Sequence, residues 1–380
     1  MKWQTPIYDE QNQKHLVVVG MSGGVDSSVA ALLLKLQGYR VLGLFMKNWE
    51  EKDENGQCSS QADYEDVAKV CQQIGIPYHA VEFVDEYQQL VFKHFLTAYE
   101  KGHTPNPDIL CNREIKFNLF YQKALELGAS FLATGHYCQN QSSNLFKGAD
   151  AGKDQSYFVY TLKKEILDHV LFPIGHLQKS QVREIAREYQ LATSKKKDST
   201  GICFIGERNF RKFISGYIKN SCGEFKMLDG TVVGQHVGFP FYTLGQRKGL
   251  GLGGAGEPWY VVDKDSSSDT VFVERGDDHP ALYSDELWAS DLSWVDPHFK
   301  LAQPLALNAK IRYRQQDQEC LVSISKDESL VHVTFSVPQR AATIGQSIVF
   351  YQDQKCLGGG VIDQIGPSYF IQKKQLPKII

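Results

Sequence analysis

His15-Leu-Val-Val-Val-Gly-Met-Ser-Gly-Gly-Val-Asp-Ser-Ser28 is the stretch whose reading decides the fold. Leu16 to Val19 form an apolar, β-branched run with the length of a buried strand. The run passes directly into Gly20-Met21-Ser22-Gly23-Gly24-Val25-Asp26-Ser27. A helical pattern follows at once: Val29, Leu32, Leu33 and Leu36 recur at i, i+3, i+4 and i+7, and Gly38 marks the stop. A strand, a glycine turn and a helix start predict an anion site. Glycines let the backbone approach closely, unpaired N–H groups point at the ligand, and the helix dipole favours negative charge.

The type of phosphate loop follows by elimination and then by likeness. A Walker A loop needs a Lys that is absent at the required position, and the dinucleotide pattern G-x-G-x-x-G fails here too. Ser22-Gly-Gly-Val-Asp-Ser27 instead resembles the PP-loop of the ATP pyrophosphatases. That family splits ATP between the α and β phosphates, adenylates a substrate oxygen and releases pyrophosphate. Ser22, Ser27 and the loop amides suit pyrophosphate, whereas Asp26, a carboxylate, is expected to hold Mg²⁺ or a neighbouring donor. The plain alternative is a glycine-rich turn ahead of a core helix.

At 380 residues the chain exceeds one ordinary core, so two or three domains are expected. We expect a PP-loop domain over 1–210, a small β-rich domain over 211–283 and a β-barrel over 284–380. No apolar run approaches the ~18 residues of a membrane span. The eight cysteines show no C-x-x-C and no regular spacing, which argues against a zinc site or a secreted disulfide framework. The reading is therefore cytoplasmic, without a membrane. A net charge of −3 gives no global nucleic-acid signature, so RNA binding would rest on local basic patches.

The first half alternates strands and helices: strand Arg40–Phe45, helix Gln61–Gly75, strand Tyr78–Val84, helices Glu86–Lys101 and Asn112–Gly128, strand Phe131–Thr134. Such alternation predicts an α/β, doubly wound, mostly parallel sheet, with ligands at the strands' carboxyl ends. Met46 and Gly135, after the second and fourth strands, are candidates to line the nucleotide site. Residues 142–199 read as loops and helices, including Lys179–Gln190, with a basic, mobile segment over Ser194–Ser199. Beyond about residue 210 short strands take over: Trp259–Val262, Thr270–Glu274, Ala309–Tyr313, Leu321–Ile324, Val331–Phe335 and Ile348–Tyr351, the rhythm of small β-barrels. Gly249-Leu-Gly251-Leu-Gly-Gly254 fits G-x-G-x-x-G by letter, but no helix follows it, so it reads as a loop.

Two cysteines lie in polar, turn-rich surroundings, Cys111 in Asn106-Pro-Asp-Ile-Leu-Cys-Asn-Arg113 and Cys203 in Asp198-Ser-Thr-Gly-Ile-Cys-Phe-Ile-Gly206. A helix start with Arg113 and Lys116 near Cys111, and Arg208 with Lys195–Lys197 near Cys203, would favour reactive thiols. Inert burial is the alternative for both. With these segments, Leu-Phe-Met-Lys-Asn-Trp at 44–49, Ala-Thr-Gly-His-Tyr at 133–137, Gly-Lys-Asp-Gln-Ser-Tyr at 152–157, Tyr-Thr-Leu-Gly-Gln-Arg-Lys-Gly at 242–249 and Ile-Arg-Tyr-Arg-Gln at 311–315 make the likeness specific. The chain resembles the tRNA-specific 2-thiouridylases, bacterial enzymes that thiolate the wobble uridine, position 34, of tRNA.

The resemblance implies an enzyme and a set of roles. Gly20, Met21, Ser22, Gly23, Gly24, Val25, Asp26 and Ser27, with Met46 and Gly135, would bind ATP with Mg²⁺. Asn106, Pro107 and Asp108 would meet the target base, with Asp108 as acid or base. Cys111 would be the nucleophile and Cys203 the persulfide carrier, supplied by a sulfur-donor protein. Lys153, Asp154 and Gln155, with Arg312 and Tyr313, would contact the tRNA. Cys111 and Cys203 stand 92 residues apart, so only the fold can join them, with Cα atoms within ~7 Å during disulfide formation. Arg247–Lys248, Arg312–Arg314 and Lys195–Lys197 could track phosphates, and Tyr313 could stack on a base. No metal is assigned to His94, His103 or His136. Two rivals remain: a PP-loop synthetase that amidates, which needs no paired cysteines, and a nucleotide-gated RNA-binding module, which releases neither AMP nor pyrophosphate.

Overall fold

The structure is a computed structural model that describes residues 3–50, 59–198, 210–218, 221–325 and 329–377, without the side chain of Ser59. Strand β1 (Leu16–Met21) is followed by α1 (Val25–Leu36), β2 (Arg40–Lys47), α2 (Ser59–Ile74) and β3 (Tyr78–Glu82). Two long helical runs, α3 over 84–100 and α4 over 107–126, lead to β4 (Phe131–Ala133). All pairings in the resulting sheet are parallel, in the order β3-β2-β1-β4, and a later two-residue strand, Val170–Leu171, extends it beside β4.

β1 is apolar throughout because both of its faces are covered. Val17 and Val19 pack with Ala31, Leu34, Val67, Val70 and Cys71 from α1 and α2. Val18 packs on the other face with Phe117 and Phe120 from α4. The strand order reverses between β1 and β4, so the crevice outside their carboxyl ends is the site that open α/β sheets use for ligands.

Several sequence expectations need correction. α4 starts at Pro107 and not at Asn112, because Asn106 caps it by accepting a hydrogen bond from the Asp108 amide at 3.1 Å. Residues 142–199 hold strands as well as loops and helices. A hairpin, β5 (Cys138–Gln141) and β6 (Asn144–Lys147), turns through Ser142 and Ser143 at φ +50° and +58°. That mirror-image turn normally advertises itself with Asn-Gly, and two serines hide it. Within the segment read as mobile, 194–198 is tied down: Arg183 donates to the Ser194 and Lys196 carbonyls, and Lys196 reaches Asp63 and Asp66 at 2.7 Å each. Lys196 is therefore committed to α2 and not offered to phosphates.

Downstream lie two further sheets. One joins β7 (Gly223–Lys226), β8 (Val232–His236), β9 (Trp259–Asp265) and β10 (Thr270–Arg275), and the glycine stretch at 249–254 precedes its third strand as a loop. The other is a six-stranded barrel: β11 (Tyr283–Trp294), β12 (Leu305–Lys310), β13 (Gln318–Ile324), β14 (Val331–Arg340), β15 (Ser347–Gln352) and β16 (Lys355–Ile365). It closes where β11 pairs with both β14 and β16. β12 ends at Lys310, so the strand expected over Ala309–Tyr313 is cut short by a turn. There the Gln315 amide donates to the Arg312 carbonyl and the Gln315 side chain accepts from the Ile311 amide.

The hairpin β5–β6 leaves the first sheet and pairs with β16 of the barrel, Lys355 opposite Phe146. Two ion pairs, the first of them buried, seal this junction. Lys310 reaches Asp154 at 3.2 Å and Lys147 bonds Asp317, and both ammonium groups lie over the ring of the fully buried Tyr351. Asp154 also accepts from the Gly148 and Ser156 amides at 3.1 Å each. Removing one partner of such a pair strands the other charge. Lys310→Met is expected to destabilise the chain by about 3 kcal/mol in denaturant-induced unfolding; a loss below about 1 kcal/mol would show the pair to be dispensable.

Candidate functional site

At the β1–α1 junction Gly24 occupies the helix N-cap with an extended backbone and no side-chain cap, so the first-turn amides of α1 receive no capping oxygen. The loop closes on itself through its serines. The Ser22 amide donates to Ser27 Oγ at 3.2 Å, and the Ser27 and Ser28 hydroxyls donate to the Gly24 carbonyl at 3.2 and 2.7 Å. Gly23 has φ +71°, and a Cβ there would fall 2.7 Å from the Asp63 carbonyl oxygen. Met21 and Val25 are buried. Gly135, two residues beyond β4, backs onto this turn: a Cβ would stand 2.7 Å from the Ser27 amide nitrogen. Met46 lies at the end of β2, partly buried between two core clusters.

Asp26 finds neighbouring donors. Lys179 Nζ sits 2.7 and 2.8 Å from its two oxygens, and Tyr137 Oη donates at 2.8 Å. Lys179 also reaches Asp198 at 2.9 Å, and Asp198 takes Lys153 at 2.7 Å and Arg183. Burial alone would raise the Asp198 carboxyl, but the Lys153 and Lys179 ammonium groups hold it well below the usual carboxylate range. Lys179 was missed in the sequence, where it reads as the first residue of an amphipathic helix 153 residues from Asp26.

The second group lines α4. Asp108 is in its first turn, and partial burial raises its carboxyl above the ordinary range while Lys116 opposes the shift. Lys116 also acts on His136, whose imidazole burial pushes down to about 3, and Thr134 Oγ1 holds its Nδ1 at 2.8 Å. Cys111 is 1 % exposed in the second turn, beside Asn48 Nδ2 at 4.0 Å from its sulfur. Asn48 too was missed; its place at the end of β2 is what brings it there. Arg113 is paired to Glu114 and Asp291, so its charge is shared away from the thiol. A helix start does not serve Cys111 as expected, since four residues precede it in α4.

The third group joins the barrel to the first two. Tyr313 Oη donates to the Lys153 carbonyl at 3.3 Å, and its ring lies 4.4 Å from that of Phe158. The Phe158 carbonyl in turn accepts from Asn112, the residue after Cys111, at 2.9 Å. Arg312 donates to the Arg340 and Ala341 carbonyls, and Gln155 Oε1 accepts from the Tyr137 amide. Asp154 is 4 % exposed with both oxygens bonded internally, so its side chain orders the loop that presents Lys153. Arg247 and Lys248 are exposed. Cys203 lies outside the described residues. Among the described residues no group of three or more His, Cys, Asp and Glu is arranged to hold a metal ion, and no helix is long and apolar enough to cross a membrane.

Comparison with known proteins adds the following. The family model described as "tRNA methyl transferase HUP domain" matches residues 15–207, its PRC-barrel domain 211–275, and "Aminomethyltransferase beta-barrel domain" 284–362. The tRNA-specific 2-thiouridylase MnmA of Protochlamydia amoebophila is 62 % identical over 97 % of this chain and 98 % of its own length. The protein of the same name from Bacillus subtilis is 53 % identical over 92 % of this chain and 95 % of its own. Among solved structures, the U34-tRNA thiolase NcsA from Methanococcus maripaludis superposes with a TM-score of 0.34 at 18 % identity, covering 53 % of this chain and 64 % of that one, too loosely to argue from.

The partly buried His136, held neutral by desolvation, has a consequence for stability. Its folded pKa lies below the ordinary value of 6.5, so between pH 6.5 and about 3 the unfolded chain binds one proton more. Stability is intact above pH 6.5 and falls by about 1.4 kcal/mol per pH unit as the pH drops below it. Denaturant titrations at pH 6 and 5 should show stability falling more steeply in the unmodified chain than in His136→Gln, by about 1.4 kcal/mol per pH unit. Equal slopes would mean that His136 titrates normally.

Proposed function

The chain belongs to the tRNA-specific 2-thiouridylase family, and from that footing we propose that it converts C2 of the wobble uridine of tRNA to the thiocarbonyl at the expense of ATP. It is a tRNA sulfurtransferase. What carries the mechanistic reading is the approach of Gly135 to the β1–α1 turn. Cys111 lies beside Asn48, the residue after β2, and β2 runs parallel to β1, with Phe45 opposite Met21. The proposed phosphate turn and the thiol-bearing helix therefore lie at the same carboxyl end of the sheet, which supports the reading.

A carbonyl oxygen is a poor leaving group, so the uridine O2 first attacks the α-phosphorus of ATP. The O2–P bond forms, the P–O bond to the β-phosphate breaks, and pyrophosphate departs into the α1 amides and the Ser22 and Ser27 hydroxyls. The uracil N3 proton leaves in the same change. Asp108, whose carboxyl burial raises toward neutrality, suits the role of taking that proton and returning it. The terminal sulfur of a Cys203 persulfide then attacks C2 and AMP leaves. Cys111 attacks the Cys203 sulfur, which closes a Cys111–Cys203 disulfide and leaves the sulfur on C2. Reduction and a sulfur-donor protein restore the persulfide. Asp198, held by three cations, is five residues before Cys203, a length of chain that spans at most about 18 Å.

Both oxygens of Asp26 are taken by Lys179 and Tyr137, so Asp26 does not fit the part of a direct magnesium ligand in this arrangement. Mg²⁺ is assigned to the phosphates of the nucleotide, whose charge it would neutralise. Lys153, Gln155, Arg312 and Tyr313, joined by the Tyr313–Lys153 bond, are assigned to the tRNA. The matched domain descriptions speak of methyl transfer, a reaction that calls for no pyrophosphate cradle.

Incubating a uridine-34 tRNA with the protein, ATP, Mg²⁺ and a persulfide-bearing sulfur donor, then analysing nucleosides by mass spectrometry, tests the reading. 2-Thiouridine, AMP and pyrophosphate are expected. Cys111→Ser and Cys203→Ser should each lower thiolation by about 10³-fold or more, as loss of a covalent nucleophile does. Thiolation undiminished in either variant would remove that cysteine from the mechanism, and AMP release without sulfur incorporation in the unmodified chain would favour an amidating synthetase.

A further inference from the structure

A cavity of about 400 Å³, within the range of small-ligand sites, opens between α3, the segment Thr104–Pro105, the short helix Phe210–Ile214 and the residues ahead of β9. Its wall is aromatic. The rings of Phe95 and Tyr99 are stacked 5.5 Å apart, Phe210 meets them edge-on at 6.2 and 5.5 Å, and Phe241 stands 6.2 Å from Tyr99. Phe95, Tyr99 and Phe241 are buried, whereas Phe210 is partly exposed. Cys111 belongs to the same apolar cluster. Thr104 is fixed by the barrel: its amide donates to the Ile344 carbonyl at 2.9 Å, and its carbonyl accepts from Gln346 at 2.5 Å.

Two polar groups in this wall have bonding capacity to spare. Tyr99 is 5 % exposed, and its hydroxyl bonds no described residue. Burial raises that phenol and the Arg211 charge opposes the shift, which puts the guanidinium in range of it. Arg211 carries five N–H donors, and among the described residues only the Gly249 carbonyl takes one, at 3.4 Å. No described carboxylate pairs with Arg211; its guanidinium lies instead 5.6 and 5.3 Å from the ring centroids of Phe241 and Tyr242. A gap left by imperfect apolar packing calls for neither group. A buried phenol and an unpaired guanidinium beside aromatic rings suit a flat ligand with polar edges.

We propose that the cavity is a nucleobase pocket: it takes the base on one side of the wobble uridine, at tRNA position 33 or 35, stacked against the aromatic wall with its edge bonded by Arg211 and the Tyr99 hydroxyl. This rests on the tRNA reading above and adds a second base contact to it. Unstacked loop bases are the part of an RNA that aromatic rings and guanidinium groups read. Pro105 stands three residues before Asp108, so the pocket and the segment assigned to the target base lie within about 11 Å of chain, which neighbouring bases splayed apart can bridge. Holding one neighbour here fixes the register of the loop and turns the uridine toward Cys111.

Fluorescence anisotropy with three synthetic full-length tRNAs tests it, one intact, one abasic at position 33 and one abasic at position 35, each titrated with the unmodified chain and with Arg211→Ala. At least one abasic tRNA is expected to bind the unmodified chain about tenfold more weakly than the intact one, the loss of one base–aromatic stack. Arg211→Ala is expected to bind the intact tRNA several-fold more weakly, yet to bind that abasic tRNA within about twofold of the unmodified chain, because the two changes remove the same contact. Abasic tRNAs that both bind like the intact one overturn the proposal. So does an Arg211→Ala that loses the same factor on all three tRNAs, since Arg211 would then act on the RNA backbone or on the fold and not on a base. Should Arg211→Ala not fold, Phe210→Ala takes its place in the same comparison, with the same outcomes. Failure of the unmodified chain to bind the intact tRNA would overturn the tRNA reading itself.

Discussion

A helix that begins without a capping side chain leaves backbone donors with nothing to bond. In this chain that deficit is placed at the end of the central parallel strand β1, where Gly24 cannot cap α1 and the loop serines bond only the loop itself. The surroundings answer to that one point. Gly135 has no side chain because the Ser27 amide occupies the place a Cβ would take. Gly23 turns left-handed because Asp63 of α2 presses from the other side. Asp26 sits in the first turn, where the dipole favours it, yet it would repel an incoming phosphate if Lys179 did not hold it.

Charge compensation extends that local arrangement into a wider one. Lys179 links Asp26 to Asp198, Asp198 gathers Lys153 and Arg183, and the Lys153 carbonyl receives Tyr313 from the barrel. The hairpin and the loop after it are pinned to the barrel by Lys310–Asp154 and Lys147–Asp317 around Tyr351. A division of the sequence into consecutive domains therefore does not coincide with a division of contacts. Residues 138–158 belong by sequence to the parallel-sheet half and by hydrogen bonding also to the barrel.

What could be read from the sequence was whatever is local. The β1 run, the glycine turn and the α1 pattern share 21 consecutive residues, from Leu16 to Leu36, so this strand, turn and helix could be read directly. Strand β2 and the helix after it followed from periodicity for the same reason. The strand Val170–Leu171 was invisible because two residues carry no period, and the β5–β6 turn because serines stand where Asn-Gly would have been a signal. Lys179 and Asn48 were missed for a different reason. Each acts on a partner far along the chain, Asp26 at 153 residues and Cys111 at 63, and nothing in a lysine at a helix start or an asparagine after a strand announces a distant partner. Asp154 erred in the opposite sense: its motif was legible, but its charge is spent inside, on Lys310 and two amides.

The helix that carries Cys111 shows how the long-range part is fixed once the fold exists. From Cys111 to Leu119 its turns widen to the π form, with a kink at Phe117, a departure that costs hydrogen-bond quality and recurs at functional sites. The widened stretch allows Phe117 and Phe120 to pack under β1 while Asn112 reaches across to the Phe158 carbonyl. Phe158 faces Tyr313, so the thiol's helix and the barrel's turn at 311–315 are held through two consecutive contacts and no long loop. Rigid positioning of that kind suits a reaction in which a macromolecule must present one carbonyl to a buried sulfur. In the proposed reaction, contacts made by the barrel would set where the base arrives, and displacement of Tyr313 would be felt at Cys111 as a change in position with no change in chemistry.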